Sequence, residues 1–468
     1  MRRKLNYMFS VVLSFCIQNR IYLPLVLLML MNIKEKKANG MDRRVFSRPS
    51  NRITILALDS NRYRGDLEAL ATNKRFRILH MTQNAPGWLL KPFYKELNIA
   101  RYIKAKKNSP DAIDHKNAFE FMQKFLNIFY KYVSVDCVTT VNFRYAEDHN
   151  WSKASDKIGV PFIMLYRECL FATESIYNGV YNRIKGQYGR FHGSHIIVHN
   201  DVTKELFIKS GYCKKENISV CGALRMDFFM KSIQSNININ LNLNRNIKFK
   251  KRFILFYFRN SMGMYKSKAS NIPNAKYKDQ DSQSIWEHKN QLFTDLHEAI
   301  IELAEENRDI QFIIKPKDIM MQHRTWEKYK EVVSSSKINV HNLKNYSVEP
   351  EANVHEMILD SDIICGLQSS TILESAIADK RVILPLFYNF LKTDYVNNLF
   401  WKNDLDLFDV ATSKEYFKQI FYNCLDEPNV SEEIMNKRKD LFELNFDSTQ
   451  GNSLERYSSA IEKVINNC

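Results

Sequence analysis

From Asn51 onward, short β-branched runs alternate with longer stretches whose apolar residues recur at helical spacing. That alternation restricts the chain to parallel sheets with crossover helices. Strands are expected over Ile53 to Asp59, Arg77 to Met81, Val135 to Val141, Pro161 to Tyr166, His195 to Asn200 and Ile218 to Cys221. The helical period is clearest at Lys116 to Tyr132, where Phe119, Met122, Phe125, Leu126, Phe129 and Tyr130 recur. With 468 residues, 45% of them hydrophobic and 12% aromatic, the chain can bury two or three cores, and disorder throughout is excluded.

The pattern stops at Lys231 to Lys250, where Asn236, Asn238, Asn240, Asn242, Asn244 and Asn246 alternate largely with Ile and Leu. Asparagine is poor in strands, so this tract is expected to be a linker, with domains over 51–230 and 251–468. The second block reads as strands at Phe253 to Phe258, Ile310 to Lys315, Ile338 to Leu343, Asp362 to Cys365 and Arg381 to Leu384. Helices are expected at Trp286 to Asn307, Val354 to Leu359 and Thr371 to Ala378, with terminal helices after them. Lys266 to Ser284 is polar, aperiodic and holds Pro273, so it reads as a projecting loop. The fold class is therefore α/β, two Rossmann-like doubly wound domains facing across a cleft, with ligands expected at the carboxyl ends of the strands.

Residues 1–50 are apolar and basic: Leu5 to Ile33 is flanked by Arg2, Arg3 and Lys4 before it and by Lys34, Lys36 and Lys37 after it. Arg20 divides the stretch into uncharged runs shorter than the about 18 residues a spanning helix needs. No small-residue cleavage site follows. A peripheral anchor on the cytoplasmic, inner face of a membrane, or a dispensable extension, are the two readings. Eight scattered cysteines without a CxxC pair suggest a reduced compartment and no structural zinc. Lys and Arg total 68 against 52 Asp and Glu, a formal charge of +16 that favours an anionic partner.

The most informative stretch runs from Ser361 to Pro385. A strand ends at Gly366, a turn presents Ser369, Ser370 and Thr371, and a helix begins whose free N–H groups suit a phosphate or diphosphate. Glu374, one turn in, can accept hydrogen bonds from sugar or ribose hydroxyls; the alternative is a capping box between Thr371 and Glu374. This stretch resembles the nucleotide-sugar donor site of GT-B glycosyltransferases, especially bacterial enzymes of capsule, surface-carbohydrate and teichoic-acid-type polymer synthesis. Phe312-Ile-Ile-Lys-Pro-Lys317 resembles their strand ending in a basic-Pro-His turn, with Lys317 in place of the histidine. His195-Ile-Ile-Val-His-Asn-Asp201, continuing through Cys221-Gly-Ala-Leu-Arg-Met-Asp227, resembles the end of their first domain.

The resemblance implies a metal-independent transferase of the GT-B type with no cofactor, the nucleotide-sugar being a substrate. A departing nucleoside diphosphate needs compensating charge, for which Arg225 and Lys315 are suitable, each just beyond or at a strand end. The alternative for Arg225 is a salt bridge to Asp227, and Lys317 reads as a solvated surface lysine. Arg167 and Glu168 close a strongly apolar strand as an expected ion pair, and Glu168 is the candidate general base for an acceptor hydroxyl. Arg62 and Arg64, after the first strand, could meet the acceptor, whereas His192 and His195 read as structural. No metal set is expected, and Walker, HExxH, GxSxG and GxGxxG motifs are absent.

The expected partners are a nucleotide-sugar donor, a glycan or lipid-linked acceptor and an inner-leaflet membrane surface. The near alternative is phosphotransfer from a CDP-alditol, as in CDP-glycerol glycerophosphotransferase-like enzymes. A nucleic-acid-binding protein is the reading from another class, but Lys and Arg are interspersed with Asp and Glu and no recognition motif occurs, so no nucleic acid is expected.

Overall fold

The computed structural model describes residues 11–44, 51–81, 85–96, 99–235, 249–256, 280–317, 324–388, 390–392 and 394–467. Two α/β units divide the chain: Met1–Cys169 with Tyr177–Lys231 and Asn445–Cys468, and Leu170–Ile176 with Ser232–Leu444.

The first unit is built on eight strands: β1 (Ile33–Lys36), β2 (Asp42–Arg44), β3 (Ile53–Ala57), β4 (Phe76–Met81), β5 (Cys137–Thr140), β6 (Phe162–Leu165), β7 (His195–Val198) and β8 (Ile218–Val220). Their order is β2-β1-β4-β3-β5-β6-β7-β8. From β4 to β8 every pairing is parallel, with Ile55 opposite Cys137 and Thr139 opposite Ile163. Every residue of β4, β5, β6 and β7 is buried, as parallel strands covered on both faces must be. One cover is the helix Pro110–Val133, which starts where the Ser109 hydroxyl accepts from the Ala112 N–H at 3.3 Å and proline takes the first position. Its Phe121, Met122, Phe125, Leu126 and Phe129 are fully buried, each contributing about 1.5–3 kcal/mol.

The N-terminal segment departs from the reading as a dispensable extension. Residues 11–18 and the helix Tyr22–Met31 place Leu13, Ile17, Leu25, Val26 and Met29 in the same core as Phe121 and Phe125. The following hairpin, β1 and β2, pairs antiparallel along β4. The segment is thus not a dispensable tail, because much of its apolar character faces the core. No helix among the described residues is long and apolar enough to cross a membrane.

The second unit holds β9 (Lys251–Phe256), β10 (Ile310–Lys315), β11 (Tyr346–Val348), β12 (Ile363–Gly366), β13 (Arg381–Pro385) and β14 (Asp409–Ala411), all parallel, in the order β11-β10-β9-β12-β13-β14. The strand expected over Ile338 to Leu343 is instead a turn of 3-10 helix, because the Asn339 side chain accepts from the His341 N–H and folds the backbone back. The strand forms later, at β11. Buried Asn345 precedes it and donates to the carbonyls of Ala304, Asn307 and Ile310. The expected loop over Lys266 to Ser284 lies mostly outside the described residues, but 280–284 already belong to the helix Gln280–Glu306. The Asn-rich tract likewise lies mostly outside them.

The end of the chain, expected with the second domain, belongs from Asn445 onward to the first unit. The reason is a clamp around 222–227. Gly222 has φ +76°, and a Cβ there would sit 2.2 Å from the Asp447 carbonyl oxygen. The Asp227 carboxylate accepts the N–H groups of Ser453 and Leu454 at 3.0 and 2.7 Å, at the start of the helix Ser453–Asn466. Tyr457 and Ile461 of that helix complete a core with Ile55, Leu67 and Ile163.

Candidate functional site

In the second unit the chain passes from β12 into the helix Ser370–Ile377 through a tight turn. Gly366 closes the strand where a Cβ would meet Ile372 Cδ1 at 2.8 Å, so the helix start lies directly on the strand tip. Gln368 takes a left-handed φ of +54°, uncommon for a residue with a side chain. Its amide donates to the Asn398 carbonyl and accepts from the Phe400 N–H at 2.7 Å, which holds the conformation. The same 397–398 segment receives Thr173 and Ser175: the Thr173 hydroxyl donates to the Asn397 carbonyl at 2.7 Å, and the Ser175 hydroxyl to Asn398 Oδ1 at 3.1 Å.

Ser369 caps the helix, accepting from the Thr371 hydroxyl at 2.8 Å and the Thr371 N–H at 3.4 Å. A capping box from Thr371 to Glu374 therefore does not form, since the cap lies two residues earlier. Glu374 is buried and faces His355, whose Nε2 is 3.4 Å from its carboxylate. Ser369, Ser370 and Thr371 remain half-exposed around the helix start, an arrangement that suits an anion. Lys315, at the end of β10, is buried and donates its ammonium protons to the carbonyls of Pro316 and Pro350. Lys317 is exposed.

In the first unit, Arg167 and Glu168 follow β6 but do not pair as the sequence suggested. Arg167 Nε lies 2.7 Å from Asp66 Oδ2, and its Nη1 donates to the Arg62 carbonyl at 2.8 Å. Glu168 is exposed. Asp66 opens the helix Asp66–Ala71 behind left-handed Gly65, and burial raises its carboxyl above the usual range against the pull of Arg167 and Arg225. The bridge considered for Arg225 is not how Asp227 is used, because Asp227 caps Ser453 and Leu454. Arg225 is half-exposed and its guanidinium lies 5.7 Å from the Phe446 ring centroid.

Between these groups stands His199, which the sequence reading passed over. It follows β7, is 1% exposed, and neither ring nitrogen has a hydrogen-bond partner among the described residues. Burial first, and then the charges of Arg225 and Arg167, hold its pKa well below that of a free imidazole. The available signal was its place at the carboxyl tip of a strand. His195, at the other end of β7, bonds Ser219 at 2.8 Å.

Arg62 is not free to meet an acceptor. Its guanidinium contacts the carboxylates of Asp59, Glu147 and Asp148 and lies 3.4 Å from the Tyr145 ring centroid. Asp148 also accepts from the Thr140 hydroxyl, and burial, with Glu147 beside it, pushes its pKa up to about 7 despite Arg62. Arg64 is exposed, with φ +46°. A pocket beside β5 and β6 is lined by Asp148, His149, Ser152, Arg190 and His192, so His192 faces a cavity. Among the described residues no group of three or more His, Cys, Asp or Glu side chains is arranged to hold a metal ion.

No protein-family model matches the chain, and no curated protein does. Solved structures do. A putative UDP-N-acetylglucosamine 2-epimerase from Listeria monocytogenes superposes with a TM-score of 0.50 at 12% identity, over 89% of this chain and 98% of that one. The UDP-GlcNAc 2-epimerase from Neisseria meningitidis bound to UDP-GlcNAc gives 0.48 at 11% identity, over 88% and 100%. The wall teichoic acid polymerase TagF gives 0.45 at 12%, over 92% of each chain. The likeness is one of fold, and it rests on the Listeria structure: two parallel-sheet α/β units of the GT-B kind.

Proposed function

We propose that the protein is a glycosyltransferase that moves a sugar from a nucleotide-activated donor to a surface polysaccharide or lipid-linked glycan. The observation that carries this reading is the turn after β12. Its left-handed Gln368 is braced from both sides, and Ser369, Ser370 and Thr371 surround a helix start. In this reading the first-turn N–H groups and the Ser370 and Thr371 hydroxyls bind the diphosphate, which gains negative charge as the glycosidic bond to it breaks. Glu374, oriented by His355, accepts from sugar or ribose hydroxyls. Lys315 contributes field from its buried position more than contact, because carbonyl groups take up its ammonium.

In the first unit, Glu168 is the general base that takes the acceptor proton, its exposure leaving it accessible to a hydroxyl. Arg167, fixed by Asp66, positions the strand tip, and Arg225 supplies cationic charge for phosphate. The shared fold with a protein named as a putative epimerase favours a second reading, isomerisation of a bound UDP-sugar without an acceptor.

Thermal stabilisation by UDP, CDP, CMP and CDP-glycerol on the wild type and on Glu374→Ala tests donor binding. Stabilisation by one nucleotide, lost in Glu374→Ala, is the expected result; no response to any of the four would remove the reading. Incubation of a stabilising nucleotide sugar without acceptor separates transfer from isomerisation, since an epimerised sugar nucleotide forms only in the second. Glu168→Gln should keep nucleotide binding and lose transfer.

A further inference from the structure

The helical hairpin at residues 11–31 has two apolar faces, and the core uses only one. Leu13, Ile17, Leu25, Val26 and Met29 are buried, whereas Phe15, Leu23, Leu27 and Met31 are 57%, 51%, 53% and 76% exposed. On the helix Tyr22–Met31 the exposed residues recur every fourth position, which draws one stripe along its outer side. Val11 and Val12 extend the exposed apolar surface on the preceding turns. These six exposed large apolar residues within positions 11–31 are more than the scattered apolar residues a soluble surface tolerates.

The sequence that carries the stripe holds basic residues and no acidic ones up to Lys34, which pairs with Asp42 at 3.9 Å. The basic residues from Met1 to Lys34 are Arg2, Arg3, Lys4, Arg20 and Lys34. A second basic segment lies against the same supporting helix: the Tyr22 and Phe93 rings pack 5.6 and 5.3 Å from the Phe121 ring. Around Phe93, the lysines Lys91, Lys95, Lys104, Lys106 and Lys107 are all exposed, with Glu96 the one acid between positions 91 and 107. None of these five lysines forms an ion pair among the described residues. An apolar ridge bordered by unpaired cations is complementary to a bilayer with anionic headgroups, in which the ridge reaches the acyl boundary and the lysines stay at the phosphates.

We infer that the first unit docks on an anionic membrane surface through the outer stripe of the 11–31 hairpin, assisted by the lysines of 91–107. The segment lies in the surface and does not span it, since its inner side is part of the protein core. This inference does not depend on the proposed transferase reaction.

The test is co-sedimentation of the full chain with phosphatidylcholine vesicles, with and without phosphatidylglycerol. The wild type should pellet with the phosphatidylglycerol vesicles and be released by salt. A charge reversal of Lys104→Glu, Lys106→Glu and Lys107→Glu together should weaken partitioning by about 100-fold, at roughly fivefold for each cation removed. Phe15→Glu with Leu27→Glu should abolish binding, and an unchanged thermal midpoint would show that the inner face still packs. Equal binding to neutral vesicles, no binding to either, or a dimer in light scattering that Leu27→Glu dissociates while vesicles bind nothing, would each overturn the inference. The last outcome would assign the stripe to a second copy of the chain.

Discussion

Arg167 Nε stands 2.7 Å from the carboxylate of Asp66, a residue about a hundred positions away in sequence, and not against its neighbour Glu168. Both partners of this pair are largely buried. Replacing one therefore leaves an uncompensated group in the interior. Asp66→Asn is expected to cost about 3–5 kcal/mol of unfolding free energy. Glu168→Gln, at an exposed site, should stay within about 0.5 kcal/mol of the wild type. Urea unfolding of the two variants checks this; a loss at Glu168 as large as that at Asp66 would refute the assignment of partners.

Acid should destabilise the protein above the range in which ordinary carboxylates titrate. Burial holds the imidazoles of His195 and His297 down to about 4, with Lys463 adding to the effect on His195 and the Phe293 carbonyl opposing it on His297. An unfolded histidine protonates below about 6.5. Between those values the unfolded chain binds protons that the folded chain does not, so stability is complete above pH 6.5 and falls as pH drops toward 4. At pH 5 each residue accounts for about 2 kcal/mol. Urea midpoints at pH 7 and pH 5 should show the loss, and His297→Leu should make it smaller.

The clamp at 222–227 should be intolerant of a methyl group. Gly222→Ala must strain a φ of +76° and displace the Asp447 carbonyl, for a combined loss of roughly 3 kcal/mol or more. Asp227→Ala should cost about 1–2 kcal/mol through loss of the helix cap. Hydrogen exchange would show the effect of Asp227→Ala concentrated in residues 453–466, and uniform exchange across the unit would contradict it.

At the turn after β12, structure and binding should separate. Ser369→Ala removes the helix cap and should lower stability by about 1 kcal/mol. Glu374→Gln retains the shape of the carboxylate but not its charge, and should weaken nucleotide binding by about tenfold or more, as expected for hydrogen bonds to a charged acceptor. Calorimetric titration with the stabilising nucleotide measures this; unchanged affinity would exclude Glu374 from the donor site.

Both sheets were legible because parallel strands are buried on both faces and leave continuous apolar runs, as at Phe162–Leu165 and at Phe312, Ile313 and Ile314. Of the strands that sequence missed, Ile33–Lys36, Asp42–Arg44 and Asp409–Ala411 are short and carry charges, which tertiary pairing tolerates and propensity does not mark. The Ser369 turn was readable because hydroxyl residues before an apolar helix have a local signature. The partners Asp66 for Arg167, His355 for Glu374 and Ser453 for Asp227 were not, since sequence spacing carries no information about contacts made by distant loops. His199 was overlooked because its isolation from hydrogen-bond partners exists only once the chain is folded around it.

Because the first unit borrows a helix from residues 453–466, it remains incomplete until the ribosome has made the second unit and that helix as well. Until then Leu224, Cys221 and the underside of the sheet lack the Tyr457 and Ile461 side chains that cover them in the finished protein. A nascent chain halted after the second unit would expose that face to other chains. Expression of the first 231 residues alone should accordingly yield an aggregating fragment, rescued by supplying 445–468 in trans.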